Sequence, residues 1–213
     1  MTKSRTTTNA ADKRPKSVLE KKTAAFSRWL HIYLSMLSFV VVLFFSVTGL
    51  TLNHANWFEG KEVEQKYSGG VPIAWVNVTD TAQIKKLEIV ELLRKTYSIK
   101  GYVSDFLIQD DQLSVSFKGP GYSADAFISR KDGKFEINEL KSGLGAVLND
   151  LHKGRDTGKG WSWLIDVAAV FLILVSVSGL VMLLFLKKRK VSGLLVAILG
   201  GAICWLIYYL LVP

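Results

Sequence analysis

Three histidines are the residues of this chain best suited to bind a metal, and their spacing divides them into two groups. His31 lies near the start of the uncharged run 29–52, His54 follows the end of that run, and His152 precedes a second apolar run. At about 1.5 Å of rise per helical residue, His31 and His54 lie about 34 Å apart, close to the thickness of a bilayer core. We therefore expect His54 and His152 at one face of a membrane and His31 at the opposite face.

Two neutral imidazoles at one depth, on separate segments, are the ligand pair that a six-coordinate haem iron requires. Haem also carries two propionates, for which Lys153, Arg155 and Lys159 offer positive charges beside His152. A zinc site fits less well, because zinc needs three or four ligands and the chain has a single cysteine. The pattern is compatible with haem b and with His54 and His152 on the iron. Histidines that serve only as polar edges of interfacial segments are the alternative.

Three apolar runs are long enough to cross a bilayer, which takes about 20 helical residues. The sequence therefore predicts a membrane α-helical protein with three transmembrane helices and a small soluble module between the first and the second. The expected boundaries are a flexible basic tail at 1–25, transmembrane helices at 26–53, 161–187 and 192–213, the soluble module at 54–140, an interfacial helix and turn at 141–160, and a basic link at 188–191.

Basic residues beside the spans set the expected topology. Residues 1–28 hold eight Lys or Arg against two acids, and Lys187–Lys190 is entirely basic, whereas residues 53–160 hold fifteen bases and fifteen acids. Because basic flanks stay in the cytoplasm, the N-terminal tail and the link should face the cytoplasm, and residues 53–160 and the C-terminus should face outward. The net charge of +9 thus reflects membrane orientation, and no nucleic acid is expected as a partner. The expected partners are the lipid bilayer and either another membrane protein or a second copy of the chain.

The segment between the first two spans predicts an α+β module. Apolar residues at helical spacing in 82–97 indicate an amphipathic helix, and short alternating segments follow it. Turn residues at 110–111, 119–121 and 131–133 separate those segments, as in β-hairpins. We expect one helix packed on an antiparallel sheet of three or four strands. A second amphipathic helix, at 140–152, is expected on the membrane surface.

A short repeat links the first two spans. Ser-Val-Thr-Gly-Leu at 46–50 resembles Ser-Val-Ser-Gly-Leu at 176–180. Small residues let membrane helices approach closely, and hydroxyls can bond across the contact. Helix packing is the simpler interpretation of the repeat. A second interpretation is compatible with the first: a macrocycle between helices also needs small neighbouring residues.

Several short signatures resemble the PepSY-associated transmembrane helix family. They are Arg-Trp-Leu-His at 28–31, Thr-Gly-Leu at 48–50, Leu-Asn-His at 52–54, Leu-His-Lys-Gly at 151–154, Trp-Leu-Ile-Asp at 163–166 and Ser-Gly-Leu at 178–180. The resemblance covers about residues 26–190 and implies a bacterial inner-membrane protein with a periplasmic PepSY-like module. Family members include haem proteins that pass electrons to ferric siderophores. The resemblance also implies that His54 and His152 carry an outer haem and that His31 corresponds to an inner ligand.

The chain departs from larger members of that family, which carry more spans and more histidines. With three spans, it has no obvious partner for His31. Either there is one haem, or His31 pairs with a histidine of another subunit, or His31 binds nothing.

Two functions are therefore expected as alternatives. The first is an inner-membrane electron-transfer protein with b-type haem, which takes electrons from quinol or a membrane partner and passes them to a ferric siderophore or another metal complex. The second is a non-enzymatic membrane adaptor whose module binds a partner protein or restrains a peptidase. No hydrolase motif such as HExxH is present, so an enzyme would be a haem-dependent membrane reductase or a subunit of one.

Overall fold

The computed structural model describes residues 17–58, 60–186 and 188–213. Residues 1–16 of the expected tail, and Lys187 at the expected end of the second span, lie outside the described residues. The helices are α1 (Val18–Asn53), α2 (Lys86–Tyr97), α3 (Leu144–Lys153), α4 (Gly158–Leu184) and α5 (Lys190–Leu211), and the strands are β1 (Val63–Gly70), β2 (Tyr102–Ile108), β3 (Gln112–Gly119), β4 (Tyr122–Ser129) and β5 (Lys134–Lys141).

Three helices, α1, α4 and α5, are long and apolar enough to cross a bilayer. The chain is thus a multi-pass membrane protein, and the predicted number of three such helices is confirmed for the described residues. The sheet lies in sequence between α1 and α4, as expected. The soluble and membrane parts of the chain therefore follow one another in the predicted order.

α1 begins at Val18, so residues 18–25 are helical, although the expected boundary assigned them to the flexible tail. Two hydrogen bonds explain this start. The Ser17 hydroxyl accepts from the backbone N–H of Glu20 at 3.1 Å, and the Glu20 carboxylate accepts from the backbone N–H of Ser17 at 3.2 Å. This reciprocal arrangement is a capping box, which satisfies N–H groups that an open helix end would leave without partners.

The soluble part forms one antiparallel sheet of five strands in the order β1-β5-β4-β3-β2. We call these strands together with α2 the sheet module (residues 63–141). The sheet has more strands than the predicted three or four, because β1 precedes α2 in the chain, whereas all the predicted strands follow that helix. β1 pairs with β5 from Val63 opposite Lys141 to Gly70 opposite Lys134. Its residues are polar and mostly exposed, so no apolar alternation marks it in the sequence.

The core of the sheet module lies between α2 and the middle strands. Ile89 and Leu93, one helical turn apart on α2, are fully buried. β3 and β4 alternate buried and more exposed residues, because successive strand side chains point to opposite faces. The middle strands contribute Leu113, Val115, Phe117, Ala124, Ala126, Ile128, Phe135 and Ile137 to this core.

The chain divides into two compact units. The first unit contains α1 up to Phe39, α4 from Val170 and α5. The second unit, residues 40–169, contains the end of α1, the sheet module, α3 and the start of α4. His31 lies in the first unit, and His54 and His152 lie in the second.

Candidate histidine sites

His152 lies in the last turn of α3, and its Nδ1 is 2.7 Å from the hydroxyl oxygen of Thr48 on α1. The Thr48 hydroxyl donates its own hydrogen to the carbonyl of Phe44 at 2.7 Å. Because a hydroxyl has one hydrogen, this assignment to Phe44 makes the Thr48 oxygen the acceptor toward His152 and places the proton of the ring on Nδ1. In the neutral ring, Nε2 is then left with a lone pair and no hydrogen.

Residues on one face of α1 surround the half-buried ring of His152. The ring of Phe45 packs edge-on against it, with centroids 5.2 Å apart and an interplanar angle of 68°. The ring lies beside Gly49, where an added Cβ would meet His152 Cε1 at 3.4 Å, a close van der Waals contact. Thr48 and Gly49 follow Phe45 by three and four residues, which places both beside Phe45 on one helix face. This face provides an acceptor, an apolar wall and room for the ring.

Contacts on either side of His152 fix α3 in place within the second unit. The side-chain amide of Asn149 lies 3.2 Å from the hydroxyl oxygen of Thr51. The backbone carbonyl of Leu151 accepts from the indole N–H of Trp161 at 2.9 Å. α3 is thus bonded to the end of α1 and to the start of α4 through residues next to the histidine.

Asp150 joins α3 to the sheet module. Its carboxylate is 4% exposed and accepts from the backbone N–H of Gly121 at 2.8 Å and from Nε of Arg155 at 2.8 Å. Gly121 has a φ of 62°, and an added Cβ would lie 2.6 Å from Val147 Cγ2, so glycine is required at this turn. No pattern in the sequence indicated this role, because an acid on an amphipathic surface helix usually faces solvent.

The cations predicted to bind propionates have different surroundings. Arg155 is paired with Asp150 through Nε and Nη2, and its side chain is 63% exposed. Lys153, at the end of α3, and Lys159, at the start of α4, are both exposed. All three belong to the second unit, together with His152.

His54 directly follows α1, and its ring stacks on the indole of Trp57 with centroids 3.9 Å apart and an interplanar angle of 9°. Over residues 17–58, 60–186 and 188–213, neither nitrogen of this ring takes part in a hydrogen bond. His54 is six residues beyond Thr48, a rise of about 9 Å if helical geometry continued. The structure places His54 and His152 in one unit, and their pairing on one iron stays a prediction.

His31 occupies a similar environment in the first unit. Its Nδ1 lies 3.0 Å from the hydroxyl oxygen of Ser178 and 3.2 Å from the carbonyl oxygen of Val175, both on α4. A carbonyl can only accept, and the Ser178 hydroxyl donates to the same Val175 carbonyl at 2.9 Å. Nδ1 of His31 therefore carries the proton. An added Cβ at Gly179 would lie 3.0 Å from His31 Cε1.

The two hydroxyl-glycine pairs at these sites are the ones in the sequence repeat. Thr48-Gly49 contacts His152, and Ser178-Gly179 contacts His31. The repeat was visible in the sequence, but its histidine partners were not, because they lie 104 and 147 residues away along the chain.

A third polar cluster lies inside the sheet module. Glu139 is 2% exposed and accepts hydrogen bonds from Tyr67 at 3.0 Å, Tyr122 at 2.8 Å and Lys141 at 2.9 Å. Burial alone would raise the pKa of Glu139, but the bonds from Lys141 and the two tyrosines outweigh it and hold the pKa below its ordinary value. Burial raises the pKa of Tyr122, and the bond to Glu139 adds to that rise. The cluster is a satisfied network that keeps a buried carboxylate charged.

Comparison with known proteins gives one family. A family model described as "Putative PepSY_TM-like" matches residues 25–213, which include both histidine sites and the sheet module. No curated protein and no solved structure matches the chain.

Proposed function

Because the chain belongs to the PepSY_TM-like family, we propose that it is an inner-membrane electron-transfer protein with b-type haem on His54 and His152. The observation that carries this proposal is the hydrogen bond from Nδ1 of His152 to Thr48, since it leaves Nε2 free for iron. Histidines that bind metals commonly donate their other ring N–H to a protein acceptor, which fixes the tautomer and the ring orientation.

His54 suits the second axial position because both of its ring nitrogens lack a hydrogen-bond partner among the described residues. Trp57 covers a face of the ring in a nearly parallel stack. A bond to iron forms at the ring edge, so this stack orients His54 without blocking its nitrogens. Its location in the same unit as His152 supports the pairing.

Cations near His152 suit the propionates that haem would bring. Lys153 and Lys159 are exposed, and Arg155 keeps Nη1 outside its pair with Asp150. The buried carboxylate of Asp150 would hold the Arg155 guanidinium in a fixed orientation, which favours planar recognition of a carboxylate.

When bound, haem supplies a one-electron couple between ferrous and ferric iron. The residues of the chain have three tasks at this site. Thr48 keeps the proton of His152 on Nδ1, Phe45 provides an apolar wall against the ring, and α3 holds the ring against α1. Axial ligand identity and the polarity around the iron are the protein's means of setting the reduction potential.

The charge distribution supports an orientation with the sheet module in the periplasm. Basic residues concentrate in 1–28 and in Lys187–Lys190, beside span ends that would then face the cytoplasm. A periplasmic acceptor, such as a ferric siderophore or another metal complex, would meet the site at His54 and His152 directly. Quinol or a membrane protein partner would supply the electrons.

Absorption spectroscopy of the detergent-purified full chain tests the proposal. We expect a Soret band and, after reduction, the sharp visible bands of low-spin, six-coordinate haem. His54→Ala and His152→Ala should each lose the low-spin signature. His31→Ala is the matched control in the other unit and should keep the signature of the outer haem. Full haem retention in both of the first two variants would refute the ligand assignment.

The adaptor function has one observation in its favour, the exposed edge of the sheet at β1. β1 is an outer strand, and most of its residues are exposed, so its free edge could accept a strand from a partner. A purified chain that shows no Soret band even after haem is supplied would favour this function over electron transfer.

A further inference from the structure

We propose that Thr48-Gly49 and Ser178-Gly179 are two copies of one histidine receptor. Each receptor fixes a neutral imidazole as its Nδ1–H tautomer and presents Nε2 to an electron-pair acceptor such as a metal ion. The repeat at 46–50 and 176–180 thereby acquires a role beyond helix packing. The inference rests on the proposed function only for the identity of the group on Nε2, and the receptor itself stands without it.

The hydroxyl of each pair acts as an acceptor toward the ring. Thr48 lies 2.7 Å from Nδ1 of His152, and Ser178 lies 3.0 Å from Nδ1 of His31. Each hydroxyl donates its single hydrogen to a carbonyl of its own helix, Thr48 to Phe44 at 2.7 Å and Ser178 to Val175 at 2.9 Å. The lone pairs that remain can only receive a hydrogen, which selects Nδ1–H in each ring.

The glycine of each pair lies against Cε1, the ring atom next to Nδ1. An added Cβ would lie 3.4 Å from Cε1 of His152 at Gly49 and 3.0 Å from Cε1 of His31 at Gly179. Nδ1 and Cε1 are bonded neighbours in imidazole. A hydroxyl followed by a glycine therefore holds one edge of the ring with two consecutive residues.

An unsatisfied nitrogen on each ring points to a ligand. Among the described residues, Nε2 of His31 and Nε2 of His152 have no hydrogen-bond partner. Neither Nε2 is among the buried side-chain atoms without a partner, so a ligand can reach both from outside the described chain. Histidines that bind metals commonly donate their other ring N–H to a protein acceptor, which is the arrangement that the two hydroxyls provide. His54 lacks a receptor of this kind and serves as an internal reference.

Nitrogen NMR of the full chain tests the receptor directly. The chain is labelled with 15N-histidine and kept in detergent without added haem, in mildly alkaline buffer where imidazole is neutral. Only three histidines contribute, and single His→Gln variants assign them. We expect a protonated Nδ1 and a bare Nε2 for His31 and His152. His54 should show the Nε2–H tautomer that a hydrated histidine side chain prefers.

Matched variants separate the hydroxyl from the bulk of the side chain. Thr48→Val should abolish the Nδ1–H pattern of His152 and leave His31 unchanged, whereas Thr48→Ser should preserve it. Ser178→Ala removes one of two oxygens beside Nδ1 of His31, so it should shift the His31 signals alone while the Val175 carbonyl keeps the proton on Nδ1. An Nε2–H pattern for His31 or His152 in the unmodified chain would overturn the proposal, even if the variants fail to fold. An unchanged His152 pattern in folded Thr48→Val would also overturn it.

Haem titration connects the receptor to the proposed function. Removing an outer partner of a ligating histidine typically weakens metal binding about 10–100-fold, so Thr48→Val should lose haem affinity by that factor and Thr48→Ser should not. An unmodified chain that binds no haem but shows both Nδ1–H tautomers would refute the haem function and leave the receptor standing. Nε2–H tautomers of His31 and His152 in a chain that does bind haem would refute the receptor and leave the haem function standing.

Discussion

The sheet module and the membrane helices bury opposite kinds of side chain. In the module, the buried set is a cluster of aliphatic and aromatic residues around α2 and the middle strands, with Phe117 the largest fully buried side chain. In α1 and α4, the buried set is small or polar: Ser27, Ser38, Thr48, Thr51, Ala168 and Ser178.

The solvent explains this inversion. Water drives apolar surface into the core of the module, because burial there is favourable by roughly 25 cal/mol per Å². Lipid tails give no such gain, so large apolar residues of a spanning helix can face outward while small and hydroxyl-bearing residues meet the neighbouring helix. Buried positions thus determine stability in the module and ring placement in the helices.

Truncation of Phe117 should give the largest loss of stability. A small loss would contradict the contrast between the apolar core of the module and the small or polar buried residues of the membrane helices. Phe117→Ala removes a fully buried ring, which typically costs about 3–5 kcal/mol. Amide hydrogen exchange of β3–β5 in the full chain measures this loss. Phe127→Ala on β4 is the matched control, because that ring is 39% exposed, and its cost should be well below that of Phe117. Equal costs at the two positions would contradict the assigned core.

The sequence predicted the helices and strands whose pattern of apolar residues is set by the surrounding lipid or water. Long uncharged runs can only be satisfied as helices in a bilayer, so α1, α4 and α5 were expected. α2 and the central strands were expected from their apolar periodicity. β1 was not, because an exposed polar strand is stabilised by backbone pairing to β5, which leaves no pattern in its side chains.

The candidate sites were predicted only in part. The three histidines and their assignment to spans could be read from the chain, but their hydrogen-bond partners could not. The bonds from His152 to Thr48 and from His31 to Ser178 depend on which helix faces meet, and Asp150 depends on a turn of the sheet module. Such contacts between distant segments follow from packing, which no local sequence pattern specifies.

Removal of the Glu139 charge should give an intermediate effect and introduces pH as a variable. Hydrogen bonds to a charged group are worth about 1.5–3 kcal/mol, so Glu139→Gln should destabilise the sheet module by about that amount at neutral pH. Hydrogen exchange of β5 measures the loss. Tyr67→Phe, which removes one of the three bonds, is the milder matched variant.

The sign of the pH effect follows from the lowered pKa of Glu139. A carboxylate whose pKa is lower in the folded chain stabilises the fold above the ordinary glutamate pKa, about 4.3, and loses that contribution as pH falls through the lower folded value. The unmodified module should therefore lose stability on acidification in this range. Glu139→Gln should lose less, and the two stabilities should converge. A constant difference down to the lowest pH would show that Glu139 acts through shape alone.

The smallest effects should come from single methyl groups added to glycines of the membrane helices. Gly179→Ala would place a Cβ 3.0 Å from His31 Cε1, and relief by a small ring movement should limit the cost to about 1 kcal/mol, the low end for overpacking. Gly200→Ala on α5 is the matched control, because an added Cβ there meets nothing within 4 Å among the described residues. The 15N signals of His31 and thermal unfolding in detergent measure both changes.

Only Gly179→Ala should move the His31 signals, and Gly200→Ala should not destabilise the chain, because alanine is favoured over glycine in a helix interior by about 1 kcal/mol. None of the residues of α5 is buried within the described chain, so its apolar surface faces either lipid or another molecule. A destabilisation at Gly200 as large as that at Gly179 would exclude lipid alone as the neighbour of α5. It would show that the expected membrane partner, or a second copy of the chain, packs against this helix, and that the rule of small buried residues extends across that contact.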